Sequence, residues 1–344
     1  MSGTVPGVDI TLRPYRDNDE SRVLELLTAS LGAGPAGERP AEFFRWKHLE
    51  SPFGPSFMLV AEDADRVVGL RAFMRWRFRV AGGVVNAVRA VDTATDPVYR
   101  GRGVFSRLTL DALDRIRDQV DFVFNTPNEK SLSGYLKMGW RIVGRIPVSV
   151  RVRRPLRFAS QVHSARSARE PTSVPPAVAA PTAAEVLGGT GSLTRLLNAA
   201  GGSDALFSTP RDADYLRWRY AAAPLLDYRA VALEAAGRLR GLGIFRVRPR
   251  GALWEATIAE VIVAAGDGAS AREVLREVIR SAPVDHLTCH FPRPSAQARA
   301  ALRSGFARSP GGMTFVVNPL RDELRPDPTR IESWALSLGD LEVF

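Results

Sequence analysis

The 344-residue chain holds a single cysteine, Cys289, and only three lysines, Lys47, Lys130 and Lys137, beside 44 arginines. One cysteine excludes an internal disulfide and a thiolate cluster for zinc. The four histidines (His48, His163, His286 and His290) do not stand at the helical spacing around a glutamate that a zinc protease uses. No run approaches the roughly 18–20 uninterrupted apolar residues of a membrane span. The opening residues, Met1 to Pro6, lack the charged-then-apolar layout of a secretory leader. The expectation is a cytoplasmic protein with no metal site and no membrane partner.

What is present is an ordinary globular composition, 45% hydrophobic and 24% charged, sufficient for a substantial core. The length points to two domains. The net charge of +10 favours anionic partners, a nucleic acid and a multiply phosphorylated cofactor equally.

Internal similarity organises the chain. Phe44-Arg45-Trp46-Lys47 matches Leu216-Arg217-Trp218-Arg219, and the same offset pairs Pro52 with Pro224, Glu62 with Glu234, Gly69 with Gly241 and Phe73 with Phe245. Order and spacing kept over so much chain imply two copies of one fold, not a solenoid of short repeats. Residues 159–182 are rich in Ser, Pro and Ala and have linker composition, with His163 solvated among them. The chain therefore divides into residues 1–158, the linker 159–182, a second copy over 183–320 and a tail over 321–344.

Periodicity and punctuation order the first copy as strand, helix, three strands, helix, strand, helix, strand. Val8–Tyr15 alternates as a strand, and Asn18 or Asp19 caps a helix bearing Val23, Leu24, Leu26 and Leu27. Strands follow at Phe57–Glu62, Val67–Val80 and Val84–Thr93, then a helix near 104–118, a strand at Asp121–Asn125, a helix near 128–138 and closing strands to about 154. This is an α/β mixed sheet with helices on both faces.

Two segments carry chemistry. In Tyr99-Arg100-Gly101-Arg102-Gly103-Val104-Phe105, a strand gives way to an amphipathic helix. Gly101 and Gly103 permit positive φ and close approach of a ligand, and unpaired N–H groups at the helix start face an anion. Arg100 and Arg102 add charge-assisted bonds. The spacing is neither a P-loop nor a dinucleotide fingerprint. The second segment is Asn125-Thr126-Pro127-Asn128-Glu129-Lys130-Ser131, followed by Tyr135 and Gly139-Trp140. Asn128 and Tyr135 lie two helical turns apart on one face. They read either as an amide and a phenol directed at a ligand, or as a helix cap and a buried aromatic.

The two segments, in this order on this run of elements, resemble the GCN5-related N-acetyltransferase (GNAT) superfamily. Its loop pattern is met by Arg100 and Gly103, while Phe105 replaces the usual small residue, as in the enhanced-intracellular-survival type of acetyltransferase. The resemblance covers about residues 8–154 and implies two tandem GNAT-like domains. It also implies acetyl-CoA, or another short acyl-CoA, as donor and the amine of a small molecule as acceptor, such as an amino sugar, an aminoglycoside or a biosynthetic intermediate. The cofactor-binding residues it implies are Val91, Thr93, Arg100, Gly101, Arg102, Gly103, Val104, Phe105 and Asn128. Tyr135 is its expected acid; Asp92, at the strand end, is the first candidate for general base, ahead of Glu62 and Glu42.

The second copy has Ala264-Ala265-Gly266-Asp267-Gly268 where the loop should be, with no preceding arginine and no tyrosine near Ala301. It reads as a degenerate copy that binds no cofactor and helps shape the acceptor cleft, with Cys289 in its core. The tail from Ile331 to Phe344 has no basic residue, and reads as an edge strand or frayed end, or as a source of carboxylates (Glu332, Asp340, Glu342 and Phe344) near the cleft. Two other readings compete: a tRNA-dependent aminoacyl ligase of tandem GNAT-like fold, and a non-catalytic CoA-sensing or scaffold module. Nucleic acid is not the expected partner, and a homo-oligomer is left open.

Overall fold

The structure is a computed structural model that describes residues 10–32, 39–80, 83–161, 174–189, 191–202 and 205–341. His163, Glu342 and the terminal carboxylate of Phe344 lie outside these residues. The first half runs β1 (Thr11–Pro14), α1 (Glu20–Leu31), α2 (Ala41–His48), β2 (Phe57–Asp63), β3 (Arg66–Val80), β4 (Gly83–Thr95), α3 (Val104–Ile116), β5 (Phe122–Asn125), α4 (Glu129–Lys137), β6 (Arg141–Ile146) and β7 (Ser149–Val152). Three helices, α5 (Pro155–Gln161), α6 (Ala183–Leu187) and α7 (Gly191–Ala200), lead to the second half. There α8 (Ala213–Leu216) continues as a wider turn over Arg217–Ala221, followed by β8 (Tyr228–Ala235), β9 (Arg238–Arg250) and β10 (Leu253–Val263). The chain closes with α9 (Gly268–Ser281), β11 (His286–Cys289), α10 (Ala296–Arg303), β12 (Ala307–Arg308), β13 (Met313–Pro319) and α11 (Leu338–Leu341).

Two mixed sheets result, in the orders β1-β2-β3-β4-β5-β13-β6 and β12-β7-β11-β10-β9-β8. The two copies exchange a strand. β7, from before the linker, pairs with β11 and β12 of the second sheet, and β13, from the second half, pairs with β5 and β6 of the first. The closing strands expected near 154 are therefore split between the sheets.

Strand alternation sets which residues meet which core. On β3, Leu70, Ala72, Met74, Trp76, Phe78 and Val80 join a core shared by both halves, while Phe73 faces the separate core under α3 and α4. Gly69 lets α3 approach, because a Cβ there would stand 2.9 Å from Val104 Cγ1 and from Leu108 Cδ1. Gly241 does the same for α9, at 2.7 Å from Val274 Cγ2, so the repeated glycine is a packing requirement in both copies.

The repeated tryptophan is the hinge of the pseudo-symmetry. Trp46 Nε1 donates to the carbonyl of Trp218 at 2.7 Å, and Trp218 Nε1 donates to the carbonyl of Trp46 at 2.9 Å. Their rings stack with centroids 5.4 Å apart. Such reciprocity is what a local two-fold axis imposes on a contact. Among the described residues, no helix is long and apolar enough to cross a membrane.

Candidate active site

The loop before α3 has the geometry its sequence requires. Gly101 and Gly103 sit at φ of 77° and 75°, and a Cβ on either would meet nothing within 4 Å. Backbone conformation, not space, demands glycine here. Gly103 is the N-cap of the 13-residue α3 and contributes no side-chain cap, so the N–H groups of Val104 and Phe105 are left for an outside acceptor. Arg100, whose Nη2 donates to the Ser30 carbonyl at 3.3 Å, and Arg102, over the Tyr99 ring at 5.3 Å, flank the loop.

Behind the loop, β4 and β5 part. Their parallel ladder runs Ala87–Phe122, Val88–Val123 and Arg89–Phe124 and then stops. Beyond it β4 bulges: Leu70 pairs with Ala94 and Ala72 with Val91, so that Asp92 and Thr93 together oppose Arg71. Asp92 takes a φ of 39°, which an aspartate tolerates better than most residues. Asn125, at the end of β5, is buried, and its Oδ1 has no hydrogen-bond partner among the described residues. A buried acceptor at a splayed strand end suits an amide N–H arriving from outside.

Tyr135 is 4% exposed, on α4, with its hydroxyl accepting a bond from Arg71 Nη1 at 2.9 Å. Its ring packs edge-on against Phe105, centroids 5.6 Å apart, and against Trp140 at 5.0 Å. The large residue at 105 thus wedges the tyrosine from below. It is accommodated by Gly134, where a Cβ would come within 3.0 Å of the Phe105 ring. Asn128 serves as the N-cap of α4, its Oδ1 accepting from Ser131 N at 2.9 Å. The capping reading holds for its oxygen, and any bond to a ligand falls to Nδ2.

Asp92, the candidate base, is held by two side chains of α2. Its carboxylate lies 2.7 Å from Lys47 Nζ and 2.9 Å from His48 Nε2, both on α2. Burial would raise its pKa, but the Lys47 charge and the His48 bond outweigh burial and hold it well below the usual carboxylate range. Burial lowers the His48 pKa, so the ring is neutral, donates from Nε2 to Asp92 and accepts at Nδ1 from Ser56 Oγ, 2.9 Å away. Burial lowers the Lys47 pKa and Asp92 offsets only part of that effect; the ionised pair is the form that leaves neither charge uncompensated. A carboxylate so placed is a poor proton acceptor and a good anchor for the bulge. Glu62 is also engaged, by Arg13 at 2.7 Å and 2.9 Å, which lowers its pKa in turn.

The second copy keeps the same arrangement. Glu260 occupies the place of Asp92, two residues past the partner of Phe245 as Asp92 is two past the partner of Phe73. Tyr220, the counterpart of His48, donates to Glu260 at 2.9 Å. A carboxylate clamped by the helix bearing the tryptophan therefore belongs to the shared architecture. The ligand-facing features are not shared. Asp267 caps α9 with its own carboxylate, accepting from Ser270 N at 2.9 Å, and Gly243 stands where Arg71 does. A cavity of about 580 Å³ opens beside the β10–β11 split, bounded by Glu260, Arg211, Leu197, Phe291 and Ser337. Gln297 donates to the Val261 carbonyl there at 3.3 Å. Cys289 is buried and its thiol pKa is pushed up by that burial.

The tail is neither a frayed end nor an edge strand over its described length. Trp334, Leu336, Leu338 and Leu341 are buried, and Arg89, three residues before Asp92, donates to the carbonyls of Asp340 and Leu341. Asp340 is taken by Arg211 at 2.7 Å, and Glu332 is exposed.

The acetyltransferase (GNAT) domain family matches residues 11–143. The chain carries a GNAT acetyltransferase domain. No curated protein matches the sequence. Among solved structures, it is similar to a probable N-acyltransferase from Enterococcus faecalis (13% identity, TM-score 0.61, 90% of this chain and 73% of that one). It is also similar to a GCN5-related N-acetyltransferase from Anabaena variabilis (14%, 0.60, 91% and 73%) and to Eis1 from Mycobacterium abscessus (16%, 0.54, 90% and 73%). These likenesses span both sheets and extend the GNAT-like fold into a tandem arrangement, and the domain makes the chain an acyltransferase. Lys47, His48 and Arg71 are additions to the residues that sequence alone marked at this site, and Asn125, the first residue of the second marked segment, gains a place in it.

Proposed function

We propose that the chain is an acetyl-CoA-dependent N-acetyltransferase acting on the amine of a small molecule by direct transfer in a ternary complex. One observation carries the reading: the glycine-capped start of α3 lies next to a split between β4 and β5 that contains a bulge, an orphaned Asn125 oxygen and a buried tyrosine hydroxyl. Arg100, Arg102 and the N–H groups from Gly101 to Phe105 would hold the diphosphate. Val91, Thr93, Asn125 and Asn128 would receive the pantetheine arm. Coenzyme A, when bound, supplies an activated thioester and a thiolate leaving group.

Backbone N–H groups near Val91 to Thr93 would polarise the thioester carbonyl, and Tyr135 would meet the departing sulfur. An amine like that of lysine is mostly protonated at neutral pH, and removing its proton costs about 4–5 kcal/mol. With Asp92 locked in its ion pair, that proton leaves through water. The glycine-capped helix also favours this reading over an aminoacyl ligase, which has no need of a diphosphate cradle.

Calorimetry with CoA tests the assignment. One CoA per chain is expected, not two. Gly103→Val, which forces a β-branched residue to positive φ at a strain of about 1–2 kcal/mol, should weaken binding roughly tenfold. Two bound equivalents, or none, would reject the cradle, and so would full affinity in the valine variant.

A further inference from the structure

The two copies act as an internal control: what both keep is architecture, and what only the first keeps is a candidate for chemistry. Arg71 belongs to the second kind. It is wholly buried, and among the described residues it makes no ion pair. Its Nη1 donates to Tyr135 at 2.9 Å and also to Thr93 Oγ1, while Nε and Nη2 have no hydrogen-bond partner. The faces of Phe73, 4.2 Å away, and Tyr135, 5.5 Å away, give it partial compensation. A guanidinium cannot escape burial by losing its proton, so its charge stands uncompensated until an anion appears beside it. In the second copy, its position is Gly243, where a Cβ would stand 2.6 Å from Val274. The place of Thr93 is Val261, and α10 carries no aromatic residue. The three groups are present together in one half and absent together from the other.

We propose that Arg71 is a positioning residue for the transfer step, fixing the Tyr135 hydroxyl and balancing the negative charge that arises on the phenol and the departing sulfur. The proposal rests on the acyl-CoA reading above. In that step the amine nitrogen forms a bond to the thioester carbonyl carbon, and the carbon–sulfur bond breaks with its electron pair going to sulfur. The Tyr135 O–H proton passes to sulfur, Nη1–H of Arg71 holds the phenoxide, and the proton shed by the acylated nitrogen returns through water to the phenol. Acyl-CoA and amine become amide and CoA thiol, with no oxidant or reductant needed. Charge therefore peaks beside a buried cation that has no ion pair among the described residues.

The test uses the full chain and does not need the natural acceptor. The thiol of bound CoA is titrated by its thiolate ultraviolet absorbance in wild type, Arg71→Gln and Arg71→Lys, after calorimetry has shown that each binds CoA. The glutamine variant should ionise the bound thiol about tenfold less readily than wild type, a shift near one pH unit, with the lysine variant between them. With any primary amine that the wild type acetylates, Arg71→Gln should lower kcat roughly 10–100-fold with little change in the acetyl-CoA KM. It should add nothing further in a Tyr135→Phe background. An unchanged thiol titration, or losses that multiply with those of Tyr135→Phe, would overturn the role of Arg71 while leaving the acyl-CoA reading intact. Absence of CoA binding in the wild type would reject both. Should the glutamine variant fail to fold, the lysine variant decides: wild-type thiol titration together with wild-type kcat rejects the proposal.

Discussion

Asp92→Asn is expected to lower the unfolding free energy by about 3–5 kcal/mol, the effect of removing one partner from a buried ion pair. The substitution isolates charge. Asparagine tolerates the φ of 39° at the bulge as aspartate does, and its amide fills nearly the same space. What remains is the Lys47 ammonium on α2, only 4% exposed, without its carboxylate. Neutralising an ordinary lysine at neutral pH costs about 4–5 kcal/mol, which sets the ceiling on the loss. Urea denaturation measures it, and Asp92→Asn with Lys47→Met should regain much of the difference. A single variant within about 0.5 kcal/mol of wild type would refute the buried pair.

The same cluster sets a pH dependence. Asp92 is held below its ordinary range, so on acidification the unfolded chain takes up this proton first; its contribution is present above about pH 4 and is lost as pH falls further. His48 is also shifted down, so its contribution is present above about pH 6.5 and declines below it. Wild-type stability should therefore fall in two stages on acidification, and the lower one should be smaller in Asp92→Asn, where Asp19, Glu62 and Glu255 still supply part of it.

Tyr135→Phe is expected to reduce kcat by about 10²–10³-fold, within the range of a lost general acid, with CoA affinity changed less than about threefold. The phenol is buried, and its hydroxyl is bonded by Arg71, not by the glycine loop or the Asn128 cap. The phenyl ring keeps the contacts to Phe105 and Trp140. Only the hydroxyl, with its bond from Arg71, is removed. Single-turnover transfer from acetyl-CoA measures the chemical step directly. A wild-type rate would exclude the phenol from it, and a loss confined to KM would make it a binding group instead.

Most of the first copy was legible because its elements are periodic. β3 alternates apolar and basic residues from Met74 to Val80, α3 repeats an apolar face, and the glycines before it mark a change of backbone conformation. α2 escaped because it is short and because polar Lys47 and His48 are buried beside Phe43, Phe44 and Trp46, so polarity in the sequence does not mark its exposed side, Glu42 and Arg45; only its repeat in the second copy drew attention to it. Arg71 escaped because β3 also carries Arg66, Arg75, Arg77 and Arg79, so one more arginine reads as another solvated side chain. Asp92 was visible as a carboxylate at a strand end, but its basicity depends on Lys47 and His48, more than forty residues earlier. Strand pairing is hidden for the same reason: Ser149–Val152 shows that it is a strand, not which sheet will take it.

The exchange of β7 and β13 gives the second copy a reason to persist. Severed at the linker, the N-terminal fragment would retain every residue assigned to acyl transfer yet lose β13, exposing the open side of β5 next to the reaction centre. Its sister would lose β7 and leave β11 bare. Gene duplication here did not yield an independent spare: each product is the other's missing part, and neither lobe can be shed without opening the sheet of its neighbour.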